Sequence, residues 1–341
     1  LIPLLSTTRV VRSYGARRTG LLAILLACCA LHGCAPSSGA VEDGSHKIAI
    51  LRSVATPDSP TEAAFLNELA DHGFVSGRNL KILGGTGDEI FPDPREAEAA
   101  VERWEGQGVK VIVAFSTVGA EIARDHAPGA NVLFLVNDPV AAGFVGDETS
   151  PDGRLTGVTF RIPADRMLSL ARRILPGLPT AGLPYPPDDP AAIPNRDRFL
   201  DAAAAQGLEL VTEEFSGEDD LARAVGVLVQ ERGAQMLLAS VSPTATSALP
   251  QLARAATSFG VPHIANVATA EGALMTLSPD GRSIGEQLGR QAVRLLNGAS
   301  PSSIPVEDPR RFQLTLNESV AETLNIPIPP DVMREADLVR R

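Results

Sequence analysis

Val109-Lys110-Val111-Ile112-Val113-Ala114-Phe115, followed without a break by Ser116-Thr117-Val118-Gly119-Ala120, decides the fold. An almost continuous apolar run of this length reads as a strand covered on both faces, which is the habit of parallel sheets. The hydroxyl pair that follows opens a helix, because Ser and Thr oxygens accept from the free N–H groups of a first turn. Strand, polar turn and helix make the repeating unit of an open α/β sheet. Working outward, the same texture predicts strand 47–52, helix 61–71, strand 79–83 and helix 95–106 upstream. Downstream it predicts helix 118–125, strand 131–136 and strand 155–160. Gly73 and Gly108 stand where helix C-caps are expected. Trp104, on a helix between charged residues, reads as a packing anchor.

The pattern loosens at 147–154, where Gly, Ser, Pro and Asp gather, and then starts again. The second series comprises helix 164–175, strand 180–185, helix 197–206, strand 209–214, helix 219–232, strand 235–240, helix 247–259 and strand 262–266. Strand 273–277, helix 284–296, strand 312–317 and helix 318–324 complete it. Two series in tandem predict two stacked lobes of one topology, although no short sequence repeat is detectable.

The start of the chain has a different character. Arg9, Arg12, Arg17 and Arg18 precede an apolar run from Leu21 to Leu31, the pattern of a secretory signal. That run is too short for a bilayer core, which needs roughly 20 apolar residues. Leu31-His32-Gly33-Cys34 resembles a bacterial lipobox, which implies a thioether-linked diacylglycerol on Cys34 and a cleaved signal at 1–33. Residues 34–46 then read as a flexible tether between membrane and domain. All three cysteines (Cys28, Cys29 and Cys34) fall in this region, so the remaining chain has no disulfide, thiol nucleophile or cysteine metal site. The full chain of 341 residues carries a net charge of −11; without the four leader arginines it has 26 basic and 41 acidic residues, or −15. An acidic surface without basic clusters excludes nucleic-acid binding and attachment through a basic membrane face.

Ligands of open parallel sheets bind beyond the carboxyl ends of the strands. The residues found there are Ser53, Ser116, Thr117, Asp138, Tyr185, Ser240, Ser242 and Asn266. They would line a cleft with neutral hydrogen-bonding groups and one fixed charge, Asp138, suited to a small polar ligand. Each has a plainer reading beside this one. Ser116 or Thr117 can cap a helix with no ligand, although helix N-termini also attract anions. Asp138, before Pro139, can simply start a turn. Tyr185, the one tyrosine after Cys34, can pack or stack on a ligand. No Gly-x-Ser-x-Gly, Gly-x-x-x-x-Gly-Lys-Ser/Thr or His-Glu-x-x-His pattern occurs. Gly84-Gly85-Thr86-Gly87 leads into acids and prolines and reads as a turn, and the scattered histidines lack metal-ligand spacing. Neither enzyme chemistry nor a cofactor is indicated.

Several stretches resemble the periplasmic-binding-protein type I superfamily, and within it a family of ABC-transporter substrate-binding lipoproteins. They are Asp71-His72-Gly73-Phe74-Val75-Ser76-Gly77-Arg78-Asn79-Leu80, Val111-Ile112-Val113-Ala114 with Ser116-Thr117, and Asn137-Asp138-Pro139-Val140-Ala141-Ala142-Gly143. Leu155-Thr156-Gly157-Val158, the segment from Gly285 to Gly298, and Ile326-Pro327-Ile328-Pro329-Pro330 continue the series in the family's order. The resemblance implies an α/β protein of two Rossmann-like lobes joined by three crossovers, with a hinge and an inter-lobe ligand cleft. With strand counting, it places residues 47–160 and 273–298 in the first lobe, and 161–272 and 299–341 in the second. It further implies a monomeric, exported lipoprotein facing the periplasm or cell exterior, which hands its ligand to an ABC permease in the inner membrane. Some family members resemble aromatic amino-acid binders. The second lobe departs from the family at Tyr185-Pro186-Pro187-Asp188-Asp189-Pro190 and Ser240-Val241-Ser242-Pro243, so the resemblance does not carry over the ligand. A binding protein feeding a membrane sensor kinase, or a secreted α/β enzyme, would share this architecture.

Overall fold

The structure is a computed structural model that describes residues 46–52, 59–85, 91–189, 191–239, 242–267 and 270–341. Cys34 and the leader, together with Ser53 and Ser240, lie outside these residues.

The first lobe contains β1 (His46–Leu51), α1 (Pro60–Asp71), β2 (Leu80–Gly84), α2 (Pro94–Gly106), β3 (Val111–Ala114), α3 (Thr117–His126), β4 (Asn131–Val136) and β5 (Leu155–Thr159). Its sheet has the order β2-β1-β3-β4-β5 and is parallel throughout. The strands alternate between two apolar layers. Ile48, Ile50, Val111, Val113 and Leu133 face one core, and Ala49, Leu51, Ile112, Ala114, Val132 and Phe134 the other. Double coverage explains the unbroken apolar runs, since each buried Val, Leu, Ile or Phe contributes about 1.5–3 kcal/mol. Trp104 is an anchor of the second layer, 3% exposed and edge-on to Phe91 at 5.5 Å.

The second lobe continues with α4 (Ala164–Ile174), β6 (Thr180–Tyr185), α5 (Ala192–Ala205), β7 (Glu209–Glu214), α6 (Glu218–Gly226), β8 (Leu237–Leu238), α7 (Pro243–Ser247), α8 (Leu249–Phe259), β9 (His263–Ala265) and β10 (Met275–Pro279). Then come α9 (Gly281–Leu296), β11 (Phe312–Asn317), α10 (Glu318–Thr323), α11 (Pro330–Glu335) and β12 (Leu338–Arg340). The parallel strands β7-β6-β8-β9-β10 repeat the order of the first sheet. Strand β11 joins antiparallel to β10, and β12 adds the edge. The helix read at 247–259 starts earlier and divides around Ala248, with Pro250 in the first turn of α8. Helix α11, which starts at Pro330, and strand β12 lie beyond helix 318–324, the last element the sequence reading gave.

The chain changes lobe after the fifth strand of each sheet. From β5 it enters α4, whose Met167, Leu168, Ala171 and Ile174 join the second lobe's core. From β10 it enters α9, whose Ile284, Leu288 and Ala292 join the first. This corrects the division expected at 273–298 and 299–341. The strand at the start of that returning segment stays in the second sheet, because Met275 and Leu277 bury among Leu183, Ile264 and Leu314. Only the helix returns. The stretch after it also remains with the first lobe. Ile304 is fully buried there, the Thr156 hydroxyl donates to its carbonyl at 2.7 Å, and Glu307 bridges to Val158. The last crossing therefore falls just before β11.

Candidate functional site

The repeated strand order places pairs of residues at equivalent positions in the two lobes. Beyond the third strands stand Ser116 and Ser242. Each is a helix N-cap, Ser116 Oγ accepting from Gly119 N–H at 3.0 Å and Ser242 Oγ from Ala245 N–H at 3.2 Å. Beyond the fourth strands stand Asn137 and Asn266. Thr117 is the first residue of α3 and is half-buried.

Asp138 does two things. Its Oδ1 accepts from Ala141 N–H at 2.9 Å, which realises the turn reading. Its Oδ2 pairs with Arg198 Nη2 on α5, so the carboxyl-end face of the first sheet meets the second lobe here. The Asp138 side chain is 13% exposed and that of Arg198 30%, so the pair is shielded from water on most sides. Burial pulls the Arg198 guanidinium below its ordinary range, and Asp138 opposes that shift. Arg198 remains charged at any physiological pH. Nearby, Arg161 pairs with Glu148 and with Asp308 at 3.2 Å, tying the segment after β5 to the segment that leaves α9.

Tyr185 is 6% exposed and committed within its own lobe. Its hydroxyl donates to Glu214 Oε1 at 2.8 Å and accepts from Arg196 Nη1 at 3.0 Å, while that guanidinium lies 4.8 Å from the ring centre. Of the two readings open for Tyr185, packing describes this structure. Asp189 does similar work: its Oδ2 accepts from Thr244 N–H at 3.1 Å, pinning the loop after β6 to the start of α7.

Sequence reasoning did not single out two residues beside Asp138, Asn137 and Arg198. Asn137 was quoted beside Asp138 but not singled out, and Arg198 sits on a helix where charge usually means solvent. Both Asn137 side-chain atoms, Asn266 Nδ2 and Arg198 Nη1 are buried without a hydrogen-bond partner. Such groups are rare in folded proteins and call for an explanation. A cavity of about 720 Å³ lies against α8, between Leu249, Ala253 and Gly272, and none of these strand-end residues lines it. Among the described residues no cluster of His, Cys, Asp and Glu could hold a metal ion, and no helix is long and apolar enough to cross a membrane.

Two α/β lobes whose five parallel strands share one order, joined by crossovers after the fifth strand, have the fold of the type I periplasmic binding proteins. The profile of the ABC transporter substrate binding protein family matches residues 47–340, and the chain belongs to that family. It is accordingly a binding protein and not an enzyme. A curated tyrosine-binding protein of Clostridioides difficile (strain R20291) is 23% identical over 319 residues, covering 90% of this chain and 91% of its own. A conserved domain protein of Vibrio cholerae aligns with a TM-score of 0.73 at 24% identity, covering 87% of this chain and 100% of that one. A Streptococcus pneumoniae ABC domain in complex with L-Trp aligns at 0.72 and 23%, covering 86% and 99%. At these identities the solved structures speak for the fold alone.

Proposed function

We propose that this protein captures an amino acid between its lobes for an ABC importer, and that lipid on Cys34 holds it at the membrane. One observation carries the ligand class: a carboxylate, Asp138, and a guanidinium, Arg198, meet between the lobes with most of their surface shielded. A zwitterion presents the complementary charges, its ammonium to Asp138 and its carboxylate to Arg198. Ser116 and Thr117, at the start of α3, supply further hydrogen bonds to a carboxylate. The named ligands of two relatives, tyrosine and L-Trp, support the same class.

A thermal-shift screen of residues 47–341 against amino acids, nucleosides, sugars and organic acids tests the ligand. Stabilisation by amino acids is the expected outcome, and stabilisation only by sugars or nucleosides would overturn it. Losing one partner of a buried charge pair costs about 3–5 kcal/mol, or two to four decades in Kd. Asp138→Ala is therefore expected to weaken amino-acid binding at least about a hundredfold, and calorimetry reads the change. For the anchor, Cys34→Ser is expected to move the protein from the membrane fraction into the soluble exported fraction. Unchanged fractionation would refute attachment through Cys34. Loss of amino-acid uptake on deleting the gene, with no change in a sensor output, would separate transport from sensing.

A further inference from the structure

Strand β7 ends the second sheet on one side, and its backbone is ready to accept a neighbour. Its six residues, Glu209-Leu210-Val211-Thr212-Glu213-Glu214, are half-buried over most of their length, whereas the opposite edge strand, β12, has only three. Glu209 and Phe215 donate their N–H groups inward, to Pro179 O at 3.2 Å and Tyr185 O at 3.1 Å. Alternate residues of a strand face opposite sides, so the backbone groups of Leu210, Thr212 and Glu214 face outward. An edge of this kind is a template for another strand.

Two arginines occupy it. Arg232 Nη1 donates to Thr212 O at 2.6 Å, and Arg223 Nη2 to Glu214 O at 2.8 Å. Glu213, between those two residues, holds both guanidiniums. Its Oε2 accepts from Arg232 Nη2 at 2.7 Å and its Oε1 from Arg223 Nη1 at 2.9 Å. Asp220 fixes Arg223 further, accepting from its Nε at 2.6 Å and from Ser216 N–H at 3.1 Å. The helix is deformed where this happens. Arg223 and Arg232 are nine residues apart in the chain. Nine residues make about two and a half turns of a regular α-helix, which would set the two side chains on opposite faces. A π-helical turn at Val227–Glu231 follows α6 and changes that phase, with Arg232 N–H donating to Val227 O at 3.1 Å. Such turns are rare and recur at functional sites. Stability does not explain the arrangement. The two arginine side chains are 51% and 44% exposed, and ion pairs open to water add little.

We propose that Arg223, Arg232 and Glu213 form a guanidinium cap that closes the β7 edge, and that the strand it keeps out is β7 of a second copy of this chain. Neighbouring strands stand roughly 4.8 Å apart, so nitrogens bonded to these carbonyls take the place of an incoming strand's N–H groups. Without the cap the edge is self-complementary. A two-fold axis at Thr212 pairs β7 antiparallel with itself, setting Leu210 against Glu214 and Val211 against Glu213, with no like charges opposed.

Sedimentation equilibrium of the unaltered chain and of Arg223→Ala/Arg232→Ala tests this, with hydrogen exchange to locate any contact. The unaltered chain is expected to remain a single copy. The variant is expected to form a two-copy species, with an association constant at least about tenfold higher. Exchange of the Leu210, Thr212 and Glu214 amides should slow in that species. At low concentration the variant should melt close to the unaltered chain. A variant that stays single over the same concentrations, that associates without slowing those amides, or that only melts lower would overturn the cap. Pairing of the unaltered chain through β7 would do the same. Should the double variant fail to fold, Arg232→Ala, which leaves Arg223 on Asp220 and Glu214, carries the same test at Thr212.

Discussion

Asn137 and Asp138 are neighbours in the chain, yet the structure gives them opposite circumstances. The carboxylate is engaged twice, by the Ala141 N–H and by Arg198, and the amide not at all. Nothing in the sequence distinguishes them, because satisfaction depends on what folding brings near. His263 shows the same dependence. At 1% exposure, with Nε2 unpartnered, burial lowers its pKa to about 4. Its neutral form is the one the fold accepts. The sign follows: stability from this residue is fully present above the unfolded value near 6.5 and is lost as pH falls toward 4. A shift of about 2.5 units corresponds to about 3 kcal/mol. Denaturant titrations at pH 7 and pH 4 are expected to show a smaller loss for His263→Gln than for the unaltered protein. Equal losses would mean that His263 does not drive the acid response.

Elements were the most legible level, and the reason is local chemistry. Gly73 and Gly108 sit at φ 89° and 78°, as their positions after helices predicted. Each closes its helix in the same way. Phe74 N–H donates to Leu69 O at 2.9 Å and Gly73 N–H to Ala70 O at 2.9 Å, and Val109 and Gly108 repeat this on Trp104 and Glu105. Ser116 caps α3 as read. The packing of α1 on α9 was not legible. There Gly285 lets the helices approach so closely that a Cβ would overlap the Thr61 carbonyl oxygen and lie 2.8 Å from Ala64 Cβ and 2.9 Å from Phe65 N. Backbone cannot step aside as a flexible side chain can. Gly285→Ala is expected to destabilise the protein by about 1–3 kcal/mol despite the better helix propensity of alanine. A denaturation midpoint at or above that of the unaltered protein would contradict the close packing. Strand β8 is a two-residue piece of the strand read at 235–240, and the short edge strand β12 was not read because its pairing with β11, not its own residues, makes it a strand.

At the scale of the molecule, the lobes are joined by three crossings and by charge. Arg161, Glu148 and Asp308 bind the crossings to one another, and Asp138 with Arg198 ties one lobe to the other. That last pair lies between an exposed pair, worth about 0–1 kcal/mol, and a buried one, whose disruption costs about 3–5. A ligand held by both lobes adds to this link only when present. At one hundred times its Kd it stabilises by about 2.7 kcal/mol. Saturating amino acid is therefore expected to raise the melting temperature and to bring the two lobes into a single transition. Two transitions that stay separate in calorimetry at saturation would show that the ligand contacts one lobe only.

Local pattern by itself determined the α/β class, the two tandem series, most element boundaries and the caps, because strand runs, first-turn hydroxyls and C-terminal glycines act within a few residues. The family resemblance pointed to the architecture, and the strand ends to Asp138 as a candidate site residue. Only the tertiary structure decided that β10 stays in the second sheet, that Tyr185 is committed to Glu214 and Arg196, and that Arg198 reaches Asp138 from 60 residues away. It also decided that Asn137 and Asn266 are left without partners. The physical reason is that burial and hydrogen-bond satisfaction are properties of the space around a side chain, and residues remote in the chain fill that space.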